Sequence, residues 1–267
     1  MPISPGTHVV YTVRPGDSPY LIANRFGSPL ADLEQSNALY PPITDPGLIY
    51  PGQKLLVRVP GTSQESAVLH QVTEGDTLFR LAERYSAGVD MLAALNRLTQ
   101  PDILRVAQLV YIPAIVYEVE PGDTLWRIGR RFGASLSELT RANAGRPGFS
   151  PDVLFPGYKL VIPLPSSTNI VVFRPLPGTR VAAGTLLSGN ARAFEANVLY
   201  RIRDDAGRTV ARERAVTAAE GAPAFGAFRV PLAFDMAPGT PAGAIQVYTR
   251  SARDGSIQDL VEVPVLF

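Results

Sequence analysis

Tyr117-Glu118-Val119-Glu120-Pro121-Gly122-Asp123-Thr124-Leu125 is the stretch that decides the fold, because it occurs three times. Tyr11-Thr12-Val13-Arg14-Pro15-Gly16-Asp17-Ser18-Pro19 and His70-Gln71-Val72-Thr73-Glu74-Gly75-Asp76-Thr77-Leu78 align with it without a gap. The alignment runs on to Asn37, Asn96 and Asn143. The glycine columns lie 59 and 47 residues apart (75 − 16 and 122 − 75). Such self-similarity marks a tandem array of small units rather than one large domain.

Each copy reads as strand, helix, helix, strand. A short alternating strand leads into Gly-Asp-Thr or Gly-Asp-Ser, whose hydroxyl is placed to accept a free backbone N–H at the start of the next helix. In the first copy Pro19 follows, at a helical position where a missing N–H costs nothing. Leu125, Ile128, Gly129 and Phe132 then recur at helical spacing, as do Leu78, Leu81, Ala82 and Tyr85. Ser135 and Glu138 fit a capping box for a second helix that is expected to bury Leu136 and Leu139. Pro51-Gly52 and Pro156-Gly157 turn the chain into a closing strand, Lys54 to Val57 or Lys159 to Ile162. The second copy has Arg105-Val106-Ala107 where Pro-Gly is expected, and an alanine in a turn needing positive φ predicts a differently bent loop there. The closing asparagines read as helix terminators or loop-bracing amides.

These signals divide the chain into repeats at 8–59, 68–114 and 115–164, with 60–67 as a linker and a last domain over 168–267. Gly61 to Ser66 reads as flexible, which would leave the first unit free to search, whereas Pro113-Ala114-Ile115 couples the second and third closely. From about Asn169 the period changes to two. Ala196, Val198, Tyr200 and Ile202 alternate with Glu195, Asn197, Leu199 and Arg201, and Phe228, Val230, Leu232 and Phe234 repeat the pattern. Asp204, Asp205 and Asp254-Gly255 supply turns. About seven strands in about 100 residues predict an all-β sandwich. The fold class is multidomain: three α+β modules (β-α-α-β) followed by that sandwich.

Composition narrows the function. A net charge of +1 with scattered charges offers no footprint for nucleic acid. No apolar run is long enough to span a membrane. With no cysteine, disulfides and thiolate nucleophiles are excluded, and His8 and His70 lie too far apart in sequence to suggest a shared metal site, so neither metal nor cofactor is expected. Nothing marks the paired carboxylates that glycoside hydrolysis needs, and no enzyme activity is expected. Met1 to Gly6 carries neither a basic nor an apolar stretch typical of a secretion signal. Synthesis in the cytosol or a trimmed chain is therefore expected.

The pattern Tyr-x-Val-x-x-Gly-Asp-Thr-Leu, two helices, a helix-ending Asn and then Pro-Gly-x-x-Leu closely resembles the lysin motif, LysM. The stretch Gly189-Asn190-Ala191-Arg192-Ala193-Phe194-Glu195-Ala196-Asn197-Val198, with Ala252-Arg253-Asp254-Gly255-Ser256, is similar to the immunoglobulin-like domain of bacterial spore germination. The first resemblance implies binding of N-acetylglucosamine polymers, peptidoglycan or chitin-type chains, in a shallow groove between two loops. It places that groove at Gly16, Asp17, Ser18 and Pro19 facing Leu48, Ile49 and Tyr50 in the first copy. The counterparts are Gly75, Asp76, Thr77 and Leu78 facing Leu104, and Gly122, Asp123, Thr124 and Leu125 facing Val153, Leu154 and Phe155. Tyr20, Phe79 and Trp126 share a column that suits either a sugar ring or a covered helix flank. The two resemblances together point to a bacterial cell envelope or spore surface. A multivalent glycan binder is the leading expectation. A spore-envelope assembly protein, using modules and sandwich for protein contacts, and an accessory of a wall hydrolase stay open beside it.

Overall fold

A computed structural model describes residues 2–45, 47–62 and 65–267, so Met1, Pro46 and the linker residues Ser63 and Gln64 lie outside the described residues. The repeats fold as read. The first holds β1 (Gly6–Thr12), α1 (Pro19–Phe26), α2 (Leu30–Ser36) and β2 (Lys54–Val59); the second holds β3 (Ser66–Gln71), α3 (Leu78–Arg84), α4 (Val89–Leu95) and β4 (Leu109–Ile112). The third holds β5 (Ala114–Glu118), α5 (Leu125–Phe132), α6 (Leu136–Asn143) and β6 (Lys159–Pro163). Two compact units result: one of residues 1–86, 98–129 and 135–163, the other of 87–97, 130–134 and 164–267.

Local signals account for the helices of the modules. Ser18 and Thr77 accept from the N–H groups of Leu21 and Arg80, and Thr124 from that of Arg127. Ser135 and Glu138 complete the capping box. Leu139 is buried, but Leu136 at the first helical position is about half exposed rather than buried. The closing asparagines are braces. Asn143 donates to the carbonyls of Leu139 and Val161 and accepts from the Val161 N–H, all within 2.9 Å. Asn37 does the same with Leu33 and Leu56. One side chain thus ties the end of the second helix to the last strand, satisfying backbone groups that burial would otherwise leave unpaired.

In the first unit the stretch predicted as a flexible linker ends in a strand. Ser66 and Ala67 open β3, which pairs in parallel with β1, Gly6 opposite Ser66 through Val10 opposite His70. The first two modules therefore share one four-stranded sheet, β2-β1-β3-β4. A module of this size has a marginal core, and pairing its exposed strand edge with a neighbour removes unpaired backbone and buries apolar surface. The chain start is used likewise. Ile3 bridges Tyr117, the Ser4 N–H donates to Val116 O, and the Glu118 N–H donates to Pro2 O, so residues 2–4 extend the β5-β6 sheet of the third module.

Arg146 joins the first and third modules. It is 5% exposed. Its guanidinium donates to Asn143 Oδ1, Lys159 O, Ser36 O and Asn37 Oδ1, and lies 4.8 Å from the centre of the Tyr158 ring. Burial pushes its pKa down. Arg84 reaches across from α3 to the carbonyls of Ala142 and Ala144. His8 is fully buried in β1, with Nδ1 3.1 Å from Gly6 O and Nε2 3.3 Å from Ser4 Oγ.

The second unit is built on two antiparallel sheets. With β7 (Ile170–Arg174), β8 (Leu186–Ala191), β9 (Asn197–Asp204), β10 (Thr209–Thr217), β11 (Gly226–Pro231), β12 (Ala242–Arg250) and β13 (Ile257–Leu266), their orders are β10-β9-β12-β13 and β11-β8-β7. Val198, Tyr200 and Ile202 face the core with Phe228, Ile245 and Val263, as the alternation predicts. Glu195 departs from it. Residues 194–196 form a 3-10 turn with Glu195 at φ +53, because the chain must bend before β9 starts at Asn197. Asp204 is structural: its carboxylate, buried in the protein, accepts from the Arg208 and Gly239 N–H groups and from the Arg208 guanidinium.

Two outcomes are expected. Arg146→Ala removes four hydrogen bonds from a dry site, two of them to asparagine oxygens that keep a backbone N–H, and should cost about 3 kcal/mol of stability, read as a lower midpoint in denaturant. Burial, with the Lys159 charge nearby, lowers the His8 pKa to about 4, against 6.5 in the unfolded chain. The unfolded state thus binds a proton first, so stability is complete above pH 6.5 and declines as pH falls toward 4, by up to about 3 kcal/mol. His8→Gln should flatten that part of the stability–pH curve.

Candidate functional site

The Gly-Asp-Thr turn has two faces. Its aspartate points inward. Asp17 Oδ2 accepts from Tyr11 Oη at 2.5 Å and from the Arg14 N–H at 2.8 Å; Asp123 Oδ2 accepts from Tyr117 Oη at 2.6 Å and the Glu120 N–H at 2.9 Å. In the second module His70 stands in the tyrosine column, its Nε2 3.2 Å from Asp76 Oδ2, which also accepts from the Thr73 N–H and hydroxyl. The His70 Nδ1 lies 2.9 Å from Tyr85 Oη. Burial alone would raise the carboxyls of Asp17 and Asp76. Hydrogen bonds from Tyr11 and the Arg14 N–H, with the Arg25 charge, instead hold Asp17 below its ordinary range, and those from His70 and Thr73 hold Asp76 well below it. Burial pushes His70 down, against the pull of Asp76. The carboxylates assigned to the groove therefore brace the turn, and what faces outward is backbone.

Gly16, Gly75 and Gly122 carry φ of +84, +82 and +84. This backbone conformation suits glycine. Around Gly16 and Gly122 there is open space where a Cβ would be. Ser18, Thr77 and Thr124 spend their hydroxyls on caps. Pro19, Leu78 and Leu125, predicted to line the groove, are buried. They begin the apolar stripe of the first helix. A column that sequence reasoning passed over sits here as well: Arg80 and Arg127 donate from Nη1 to Gly75 O and Gly122 O, at 2.8 and 3.0 Å. The first module has Leu21 at that position.

The facing loop is held in the same way three times. The Gly52 N–H donates to Val13 O while the Val13 N–H donates to Gln53 O, and Gly157 with Val119 and Tyr158 repeats this. Ala107 does so too, donating to Val72 O with φ +69. The loop of the second module thus does not bend differently. The paired hydrogen bonds hold alanine in the left-handed region at a cost on the order of 1 kcal/mol. Leu48, Tyr50 and Val153 are exposed, and Ile49, Leu104, Leu154 and Phe155 are half-buried, with Ile49 packed on the first module's core. Tyr20, Phe79 and Trp126, one position into each first helix, are 65, 66 and 55% exposed. Each module thus presents an exposed backbone turn and an apolar loop with at least one exposed side chain, which in the second module is Ile103 rather than Leu104.

Among the described residues no group of three His, Asp or Glu side chains could hold a metal ion, and no helix is long and apolar enough to cross a membrane.

Comparison with known proteins assigns the repeats to a family. The model for the LysM domain matches residues 11–58, 70–113 and 117–163, and that for the immunoglobulin-like domain of bacterial spore germination matches 169–256. A protein of Staphylococcus aureus named as a probable autolysin is 33% identical over 96 residues, 33% of this chain and 34% of that one. An N-acetylmuramoyl-L-alanine amidase of Staphylococcus epidermidis is 33% identical over 105 residues, 36% and 31% of the two chains. A spore cortex-lytic enzyme of Bacillus cereus, known from a crystal structure, matches at 33% identity and a TM-score of 0.30, over 40% of this chain and 22% of that one. The chain spans about a third of the length of these curated relatives. Matched over just over half its length by one family model, the chain belongs to the LysM family, with three LysM domains ahead of an immunoglobulin-like domain of bacterial spore germination.

Proposed function

We propose that the chain is a non-catalytic binder of N-acetylglucosamine-containing wall glycan, peptidoglycan or spore cortex, acting through its three modules at a bacterial cell envelope or spore surface. One observation carries this reading: each module turns its aspartate inward and leaves a glycine-centred backbone turn open opposite an exposed apolar loop. An acetamido sugar suits such a site. Its amide both donates and accepts to backbone, and its methyl group gains about 0.8 kcal/mol when buried on the loop. The side chains there include no free carboxylate pair to protonate and attack a glycosidic bond. The names of the relatives, an amidase and a cortex-lytic enzyme, concern wall chemistry, and their likeness to this chain lies in a part of each. A single shallow groove binds weakly, and three on one polymer raise avidity by about 10²–10⁴.

Titration with N-acetylglucosamine oligomers is expected to show affinity rising with chain length. Leu48→Asp and Val153→Asp, both at exposed positions, should each lower it about tenfold (a change of about 1.4 kcal/mol) with Tm unchanged. Affinity that ignores length, or that survives both changes, would count against the glycan and favour a protein-assembly role. Incubation with purified peptidoglycan should release no reducing ends or free amines above a boiled control, and release would make the chain an enzyme.

A further inference from the structure

We infer that the first two modules form one continuous site, in which a cleft between them holds the stretch of glycan that runs from one groove to the other. The inference rests on the glycan reading above and concerns how the chain meets its polymer.

The register of the shared sheet leads to it. Tyr11 and His70 are equivalent columns, yet β1 and β3 pair Val10, not Tyr11, with His70. Paired residues of parallel strands point to the same side, and successive residues to opposite sides. Tyr11 and His70 therefore point to opposite faces, and the first helices of the two modules lie on opposite sides of one sheet. Because the strands are parallel, both Gly-Asp-Thr/Ser turns nevertheless emerge at the same end. Between them lies a cleft of about 460 Å³, within the range of sites that hold small ligands.

Its walls come from the same loops that border the two grooves. Arg14, Pro15 and Gly52 line it from the first module, and Thr73, Glu74 and Val106 from the second. Pro15 and Val106 are exposed and offer apolar contact to the C–H faces and acetyl methyl of a sugar. Arg14 and Glu74, also exposed, offer a donor and an acceptor to hydroxyls and amide. The ladder from Gly6–Ser66 to Val10–His70 holds the walls at fixed separation, so a chain seated in both grooves is bound without the ordering cost of a flexible tether.

The test uses the full chain with Val106→Trp and, separately, Glu74→Trp, each of which fills the cleft from an exposed position. Binding of the disaccharide and the octasaccharide of N-acetylglucosamine is measured by calorimetry, with Tm as the check on folding. The expected result is an octasaccharide affinity lowered about tenfold or more in both variants, with disaccharide binding unchanged. Unchanged octasaccharide affinity in two folded variants would overturn the continuous site while leaving the glycan reading intact. Absence of saccharide binding by the wild-type chain would overturn both.

Discussion

A guanidinium with no carboxylate partner among the described residues sits where the first and third modules meet, and much of the first unit is organised around it. Arg146 binds the same two asparagine side chains, Asn37 and Asn143, that tie second helix to last strand within each module. The braces inside two modules are thereby also part of the contact between them, beside the Lys54 N–H donating to Gly145 O. A buried cation is tolerable only when several oriented dipoles replace its water, and here backbone carbonyls of Ser36 and Lys159 and the Tyr158 ring add to that shell around Nη1 and Nη2, while Nε has no hydrogen-bond partner among the described residues. The geometry of the ends of α2 and α6 must be kept for the shell to close.

The underlying constraint is size. Two short helices and two strands cannot bury enough apolar surface to be comfortable alone, and the chain contains no cysteine to staple them. The modules make up the deficit by sharing. β1 lends its edge to β3, residues 2–4 extend the sheet of the third module, and Arg84 caps carbonyls at the end of α6. An array built this way presents its loops in fixed relation, which is the opposite of three beads on a string. On the proposed glycan-binding reading, such fixed spacing would replace search with selection of one matching polymer conformation.

Sharing of labour also occurs within each turn. A sequence that repeats Gly-Asp-Thr invites the reading that its polar side chains meet the ligand. The aspartate is consumed by a tyrosine or histidine behind it and the hydroxyl by a helix N-terminus. The glycine remains, and with it an outward backbone. The substitution of His70 for tyrosine keeps the brace while changing its chemistry, and Ala107 keeps the facing turn at the expense of strain. The second module departs in sequence and conforms in structure because the hydrogen bonds that close the loop outweigh the preference of one residue.

Much was legible without coordinates: three repeats, their helix caps, the capping box at Ser135, the inward alternation around Tyr200 and the asparagine braces. These are local or periodic, so neighbours in sequence suffice to specify them. The groove loops were legible as loops, but which of their atoms face outward was not, since Leu78, Leu125 and Asp123 turn inward for reasons set by residues across the module. The parallel pairing of β1 with β3, the place of Ile3 beside Tyr117, and Arg146 left no periodic trace at all. Each depends on contacts between segments far apart in the chain, where one arginine among scattered charges looks like any other. Sequence alone therefore determined what each module is. Tertiary structure decided how the modules are joined, because burial of strand edges and of one cation selects among arrangements that the repeats by themselves leave equally open.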